Sequence, residues 1–568
     1  MRWYGIGSFW GHLQHFVASA IATGDIDSRD WMKPDEPWSF ADRVVKQLGG
    51  QARGATVVEA LGRDLWVDFL ADTGDDVAVS EAVGRLFARD YEVPDPEAPG
   101  QFLIAPRGDL LLHGGDVAYP VATTLEIHDR FVVPFNRALV EQRDDKCRAL
   151  LGIPGNHDWY AGLDGFGRLF RRRVGELRPA DEQASLTLDR NAVALAVDWV
   201  ESFVAGKSVS QRRALVLDGY VPVQDASYFV LPLTPKIHLF GVDRQLRTVD
   251  FRQRTYFTQW RKDHPDVALW VTMPDPYLAY LEPNPPGVGM VDALELHLDD
   301  EPHLLLCGDT HQYSRSQRGP TMHVTAGGGG AFLHGARIDR RGLTAPIAEW
   351  PGPNASRALL SLVPWHVAAG RAGLIPHFVM LLLFAPALGV GLGMFHSDAS
   401  VEGASAVAAM IGTATCALIG GWRRGRFVRI ATLASLTGLV MGLAPTLSTL
   451  AFSAAAEHVG RHVSPNVHGA LVLVLAVFFG ALAFGAYLCA LTIMGLETSQ
   501  AHTALGHPSH KHFVRLRVRK EGGVVDAWVI GLYDPLAPGE KPVLVDQWTW
   551  TPRPPDVTSP SAASPDAS

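Results

Sequence analysis

The decapeptide Ala149-Leu150-Leu151-Gly152-Ile153-Pro154-Gly155-Asn156-His157-Asp158 closes an apolar run on proline and glycine, then presents an amide, an imidazole and a carboxylate in consecutive positions. Ala149 to Ile153 reads as a buried β-strand, because a short apolar run bounded by a turn signal fits one. The arrangement recurs three times. Leu65 to Ala71 precedes Asp72-Thr73-Gly74-Asp75, Asp109 to His113 precedes Gly115-Asp116-Val117-Ala118-Tyr119, and His303 to Cys307 precedes Gly308-Asp309-Thr310-His311. Ile237 to Val242 and Val267 to Thr272 are two further β-like runs. Strands this continuously apolar are buried on both faces, and their alternation with helical stretches predicts an α/β domain over 65–345. Functional groups in such folds gather at strand ends, where all four motifs fall.

The residue types in these motifs suit one chemistry. Hydrolysis of a phosphate ester needs a deprotonated water and positive charge on the phosphoryl oxygens, and two cations about 3.5–4 Å apart supply both. Carboxylates, amide oxygens and imidazoles hold such ions. Asp116, after the permissive Gly115, is the natural bridging carboxylate. Asp72 and His311 complete a first metal site, Asn156 donates its amide oxygen to a second, and His157 protonates the leaving alkoxide. Any one motif is commonplace, since Asp72 could cap a helix and Tyr119 could merely pack. Four in this order, each after a β-like run, carry the reading together.

These residues resemble the calcineurin-like metallophosphoesterase superfamily, in which motifs of the form DxH or DxG, GDxxY, GNHD, a strand-end His and GHxH surround a dinuclear metal centre. The resemblance covers about Leu65 to Gly335 and implies a β-sandwich flanked by helices. Asp72-Thr73-Gly74 paired with Asp116 to Tyr119 is similar to the purple acid phosphatase variant, which implies Tyr119 as a further ligand of the first metal. The runs Phe69 to Asp75, His113 to Pro120, Ile153 to Tyr160, Gly308 to Tyr313 and Gly328 to His334 are similar to a membrane-anchored subgroup from plants and bacteria. Two departures stand out. Asp309 occupies the place of the first His of GHxH, so the second site reads Asp116, Asn156 and Asp309. Val271 to Pro276 occupies the place of the strand-end His, and Pro274 has no donor atom. Asp275, between two prolines, either swings in or forms a turn. The implied cofactors are two divalent or mixed-valence ions, with manganese, iron and zinc all suited to the ligands. Around this set, Asp158 either orients His157 or caps a turn, and His334 either contacts phosphate or packs. Asp243 and Arg244, where the arginine either holds a substrate phosphate bidentately or forms a surface ion pair, are left outside the site.

Composition bounds the rest. At 568 residues the chain holds more than one structural unit, and its net charge of −9, without a basic face, excludes nucleic acid as a partner. The four cysteines, Cys147, Cys307, Cys416 and Cys489, are scattered singly and read as reduced packing residues. No cleavable export signal is visible, and Ser8 to Thr23 is too short to cross a bilayer, so 1–64 reads as a helical extension. Between Arg168 and Asp225 an insertion is expected, with an exposed excursion at Glu176 to Arg190 and an amphipathic helix at Ala192 to Val204.

After Trp350 four apolar segments follow: Phe378 to Phe395, Gly403 to Trp422, Ile430 to Ser453 and Gly469 to Leu496. They predict a four-helix transmembrane region over 376–497. Arg423, Arg424, Arg426 and Arg429 sit between the second and third segments, which places that loop in the cytoplasm and, with an even number of spans, the catalytic domain too. Phe513 to Val518 and Val524 to Leu532 flank Glu521-Gly522-Gly523 and predict a β-hairpin within a small segment, 510–550, before a disordered tail, 551–568. The reading is thus a multi-pass membrane protein with a metal-dependent phosphoesterase domain acting on a phosphomonoester or phosphodiester. The competing reading is a catalytically degenerate sensor or scaffold of the same fold, motivated by Pro274.

Overall fold

Leu65, Val67 and Phe69 alternate with Trp66, Asp68 and Leu70, so the first strand has two faces to cover, and both are covered. The computed structural model describes residues 33–173, 186, 215–245, 249–391, 399–421, 426–506 and 508–552. The elements expected at Ser8 to Thr23, at Ala192 to Val204 and in the tail beyond residue 552 lie outside these, as do Arg423, Arg424 and all of Glu176 to Arg190 except Leu186. In chain order come β1 (Leu65–Leu70), the pair β2 (Tyr91–Pro94) and β3 (Phe102–Ala105), β4 (Leu110–His113), β5 (Arg148–Gly152) and β6 (Tyr220–Pro222). Next are β7 (Phe229–Thr234), β8 (Ile237–Gly241), β9 (Ala268–Met273), the short pair β10 (Leu278–Ala279) and β11 (Glu282–Pro283), and β12 (Leu304–Cys307). β13 (Tyr313–Arg318), β14 (Thr321–Ala326) and β15 (Ala348–Trp350) precede the apolar helices, and β16 (Lys511–Val518), β17 (Val525–Leu532) and β18 (Val543–Trp550) follow them.

Fourteen of these strands form two seven-stranded sheets, ordered β18-β17-β16-β1-β4-β5-β6 and β15-β13-β14-β12-β9-β8-β7. One face of each meets the other in a shared apolar core that includes Val67, Leu112 and Leu151 from the first sheet and Leu239, Trp270 and Leu306 from the second. The outer faces are covered by helices, with Leu70, Leu111 and Leu150 buried on one side and Phe240, Val271 and Leu305 on the other. This is a sandwich of mixed sheets flanked by helices. The helices Pro37–Gln47 and Val57–Leu61 of the N-terminal extension join the shared core, with the Phe40 ring 5.5 Å from that of Phe229.

The C-terminal strands differ from expectation. β16 and β17 pair as a hairpin, but β16 also runs antiparallel to β1, from Leu65 opposite Val518 to Phe69 opposite Val514. The segment 510–550 therefore completes the sheet that β1 belongs to. The physical reason is in the alternation. Val514, Leu516 and Val518 enter the shared core, while Arg515 on the other face meets Asp68, and a lone hairpin could bury neither set.

Among the described residues, three helices between β15 and β16 are long and apolar enough to cross a membrane: Val401–Gly420, Phe427–His458 and Pro465–Ile493. The first predicted span, Phe378 to Phe395, lies within the described residues only as far as Gly391. It forms the 17-residue helix Ile375–Gly391, about 25 Å long, with Pro386 inside it. The helices pack closely where side chains vanish. A Cβ on Gly438 would lie 2.1 Å from Thr413 Oγ1 and one on Gly442 2.4 Å from the Ser405 carbonyl, so this pair spaced by four lets two backbones approach.

Candidate functional site

β1, β4 and β12 are each followed within three residues by an aspartate in the left-handed region, Asp72 at φ 58°, Asp116 at φ 55° and Asp309 at φ 62°. L-residues avoid this region, although aspartate tolerates it better than most, and three such residues at one site mark backbone held against its preference. The loops brace one another. The Asp72 and Thr73 amides donate to the Gly115 and Asp116 carbonyls, each at 3.0 Å, and the Asp309 amide donates to Asp72 Oδ2 at 2.9 Å. Asp158 accepts from the amides of Gly155 (2.9 Å), Asp116 (2.9 Å) and Val117 (3.3 Å), so it ties the GNHD turn to the Asp116 loop instead of orienting the His157 ring.

Gly155 fills the seam between those loops. A Cβ there would lie 2.1 Å from Asp116 Oδ1. Gly155→Ala must displace that carboxylate, and displacement of a reacting group by about 1 Å costs on the order of 10²-fold in rate. Steady-state turnover of the alanine variant beside its melting temperature checks this: the expected result is a fall in kcat larger than any loss of folded protein explains.

The Tyr119 hydroxyl is the point of convergence. It lies 2.8 Å from Asp72 Oδ1, 3.3 Å from Asp116 Oδ2 and 3.0 Å from His311 Nε2, and it is buried. His311 Nδ1 donates to the Phe332 carbonyl at 2.8 Å, which leaves Nε2 as the acceptor nitrogen facing the carboxylates. One hydroxyl proton cannot serve three acceptors at once. Burial drives the Asp72 carboxyl up to about 8, against the hydrogen bond from Tyr119, and raises Asp116 well above its ordinary range, with Asp72, Asp158 and Asp309 adding repulsion. Such a cluster takes up either protons or a cation, and its donor set fits a cation that prefers oxygen and imidazole. Among the described residues, no three His, Cys, Asp or Glu side chains already surround a single point as metal ligands. Tyr119, itself part of the first predicted ligand set, lies at the centre of that set.

Both polar side chains of the GNHD turn ahead of Asp158 are anchored. The His157 amide donates to Asp116 Oδ1 at 2.8 Å and Nδ1 donates to the Pro120 carbonyl at 2.6 Å, which turns Nε2 away as the nitrogen able to carry or accept a proton. The Asn156 side chain donates through Nδ2 to the Tyr160 hydroxyl at 2.6 Å. His334 stacks on His311, with ring centres 4.3 Å apart, and its Nδ1 accepts the His311 amide at 3.0 Å, so it positions that imidazole.

Two residues enter the site that sequence reasoning left out. Arg244 forms a buried ion pair with Asp275, Nε to Oδ2 at 2.7 Å, and its charge also acts on Asp309. Arg244 follows β8 as the aspartates follow their strands, and the strand-end rule applied evenly would have included it. Asp275 is pushed up to about 7 by burial and by Asp309, then eased by Arg244, so it belongs to the carboxylate field as the partner of an arginine. Lys511, fully buried at the start of β16, has its ammonium pulled down to about 8 by burial, countered by Asp75 and Asp72. No local signal reveals it, because only the pairing of β16 with β1 brings it here.

No family model matches the chain, and no curated protein does. Among solved structures, one similar chain, "Structure of PhoD", matches at 9% identity over 49% of this chain and 58% of that one, with a TM-score of 0.24. The chain thus spans little more than half of that structure, and a likeness so slight carries no argument.

Proposed function

We propose that this protein is a membrane-anchored, metal-dependent phosphoesterase that hydrolyses a phosphomonoester or phosphodiester. The observation that carries the reading is the convergence of Asp72, Asp116 and His311 on one buried hydroxyl, beside Asp309 and the His157 loop. Asp72, Asp116, Tyr119 and His311 would hold one ion, and Asp116, Asn156 and Asp309 a second. Metal bound there supplies positive charge to the phosphoryl oxygens and lowers the pKa of a water. His157, with Nδ1 committed to Pro120, holds a proton at Nε2 for the leaving oxygen. Arg244, fixed by Asp275, offers a guanidinium to a phosphate beside Asp309.

Two observations support a topology for this reading. β1 and β16 pair in one sheet, so residues 65–69 and 514–518 share a side and the helices between them cross an even number of times. With three long helices, Ile375–Gly391 is then the fourth crossing. Arg426 lies 3.8 Å from Glu282, so this arginine of the loop between the second and third apolar segments is on the α/β domain's side, which supports, through the positive-inside tendency, a cytoplasmic domain.

The sensor or scaffold reading draws on Pro274 and on Asp275 being engaged by Arg244, which together thin the second site. Elemental analysis of the purified full chain, beside turnover of chromogenic mono- and diesters, separates the two. Bound metal with turnover is expected, and His157→Ala should lower kcat by about 10²–10⁴-fold while metal content stays constant. Absent metal together with inactivity across added manganese, iron and zinc would favour the scaffold.

A further inference from the structure

Beside Asp309 and His334 opens a cavity of about 740 Å³ whose opposite wall is not part of the sandwich. That wall is built from the ends of apolar helices, with Ile419 near the end of the helix Ala399–Gly420, Arg426 at the turn before Phe427–His458, and Leu496 and Ser499 after Pro465–Ile493. These ends mark where the apolar part of the helices stops on the catalytic side, so the cavity floor lies at the level of lipid head groups. A site serving only a dissolved substrate gains nothing from such a wall.

The polar groups in the cavity favour an anion. Arg337, 7% exposed in its side chain, lies 3.0 Å from Glu282, and Arg426 lies 3.8 Å from the same residue while donating to the Gly495 carbonyl at 3.0 Å. Two guanidiniums thus share one carboxylate. Two further acids line the cavity: Asp309, which belongs to the strand-end carboxylate cluster, and Glu497, which is spent on the turn that follows it, accepting from the amides of Ser499 (2.9 Å) and Gln500 (2.8 Å). Tyr280 lines the same space, and its buried hydroxyl has no hydrogen-bond partner among the described residues. The volume suits a glycerophosphate head group and leaves no room for two acyl chains, which would remain in the bilayer.

We infer that the substrate is a phosphate ester carried on a membrane amphiphile, its head group entering between the helix ends and the catalytic domain under the attraction of Arg337 and Arg426. This rests on the phosphoesterase reading. In the reaction the oxygen of water bonds to phosphorus, the ester P–O bond breaks with its electron pair leaving on the lipid oxygen, and that oxygen takes a proton to leave as the alcohol.

The test compares each lipid with its own deacylated head group, using the full chain in detergent with added metal. Phosphatidate in mixed micelles is set against glycerol 3-phosphate, and phosphatidylglycerol against glycerophosphoglycerol, with a chromogenic ester alongside. The wild type should prefer one lipid by at least 10-fold in kcat/KM, and Arg426→Gln should cut that preference at least 10-fold. Ser499→Trp, which fills the cavity mouth from another element, should do the same should the arginine variant fail to fold. Turnover of the chromogenic ester with equal or greater activity on the deacylated compounds overturns this inference alone, as does a preference that neither variant changes. Inactivity on every ester overturns the phosphoesterase reading as well.

Discussion

Asp116→Asn is expected to lose turnover by at least about 10³-fold and to lose bound metal with it, while the protein melts no lower than the wild type in metal-free buffer. The asparagine oxygen can still accept the His157 amide that Asp116 Oδ1 accepts at 2.8 Å, so the GNHD turn keeps its anchor. What disappears is a buried negative charge among Asp72, Asp158 and Asp309, each of which makes that charge costly to keep. A residue retained for packing would show the opposite pattern, with activity tracking stability. Elemental analysis, turnover and thermal unfolding of the one variant read all three quantities. Retained activity would remove Asp116 from the centre of the site, and a large fall in melting temperature would make its role structural.

Much of this site was legible because its parts are local. Each aspartate directly follows a strand whose apolar run is plain in the sequence, and Leu65–Leu70, Leu110–His113, Arg148–Gly152 and Leu304–Cys307 lie within a residue or so of the expected runs. Strands with mixed faces were missed. β13 reads Tyr-Ser-Arg-Ser-Gln-Arg, and only Tyr313 at its start is buried, so hydropathy alone does not reveal it. β7 carries Pro232, which argues against a strand interior, yet β7 is the edge of its sheet, where a missing amide is tolerated. Arg244 stood within reach of the strand-end rule although its partner did not, and Lys511 was beyond reach. The ion pair of Arg244 with Asp275 joins the ends of two strands, β8 and β9, that sequence order does not show to be neighbours. Lys511 depends on a pairing between strands that lie on either side of all the apolar helices in sequence.

That long-range pairing sets the second large effect. Asp68→Ala is expected to destabilise the catalytic sheet by about 3–5 kcal/mol, a fall of roughly 10 °C in melting temperature. Asp68 and Arg515 are both 0% exposed, with Arg515 Nε 2.7 Å from Oδ1 and Nη2 3.0 Å from Oδ2. Asp68 Oδ2 also accepts the Gly108 amide at 2.9 Å, and the guanidinium is further held by the carbonyls of Arg89, Ala105 and Phe87. Alanine therefore strands a buried cation whose remaining partners carry no charge. The pair joins β1 to β16, which flank the apolar helices in sequence, and Asp72 lies two residues beyond the end of β1, so loosening this contact loosens the site as well. Asp68→Leu combined with Arg515→Met should recover most of the lost stability, since filling both positions with apolar groups removes the uncompensated charge. Thermal unfolding of the single and double variants in detergent tests this, and a single variant that melts with the wild type would mean that β16 adds little to the catalytic sheet. If the loss is found, the residues after the last helix are part of the sandwich's core, and a truncation that ends before them cannot report on the site.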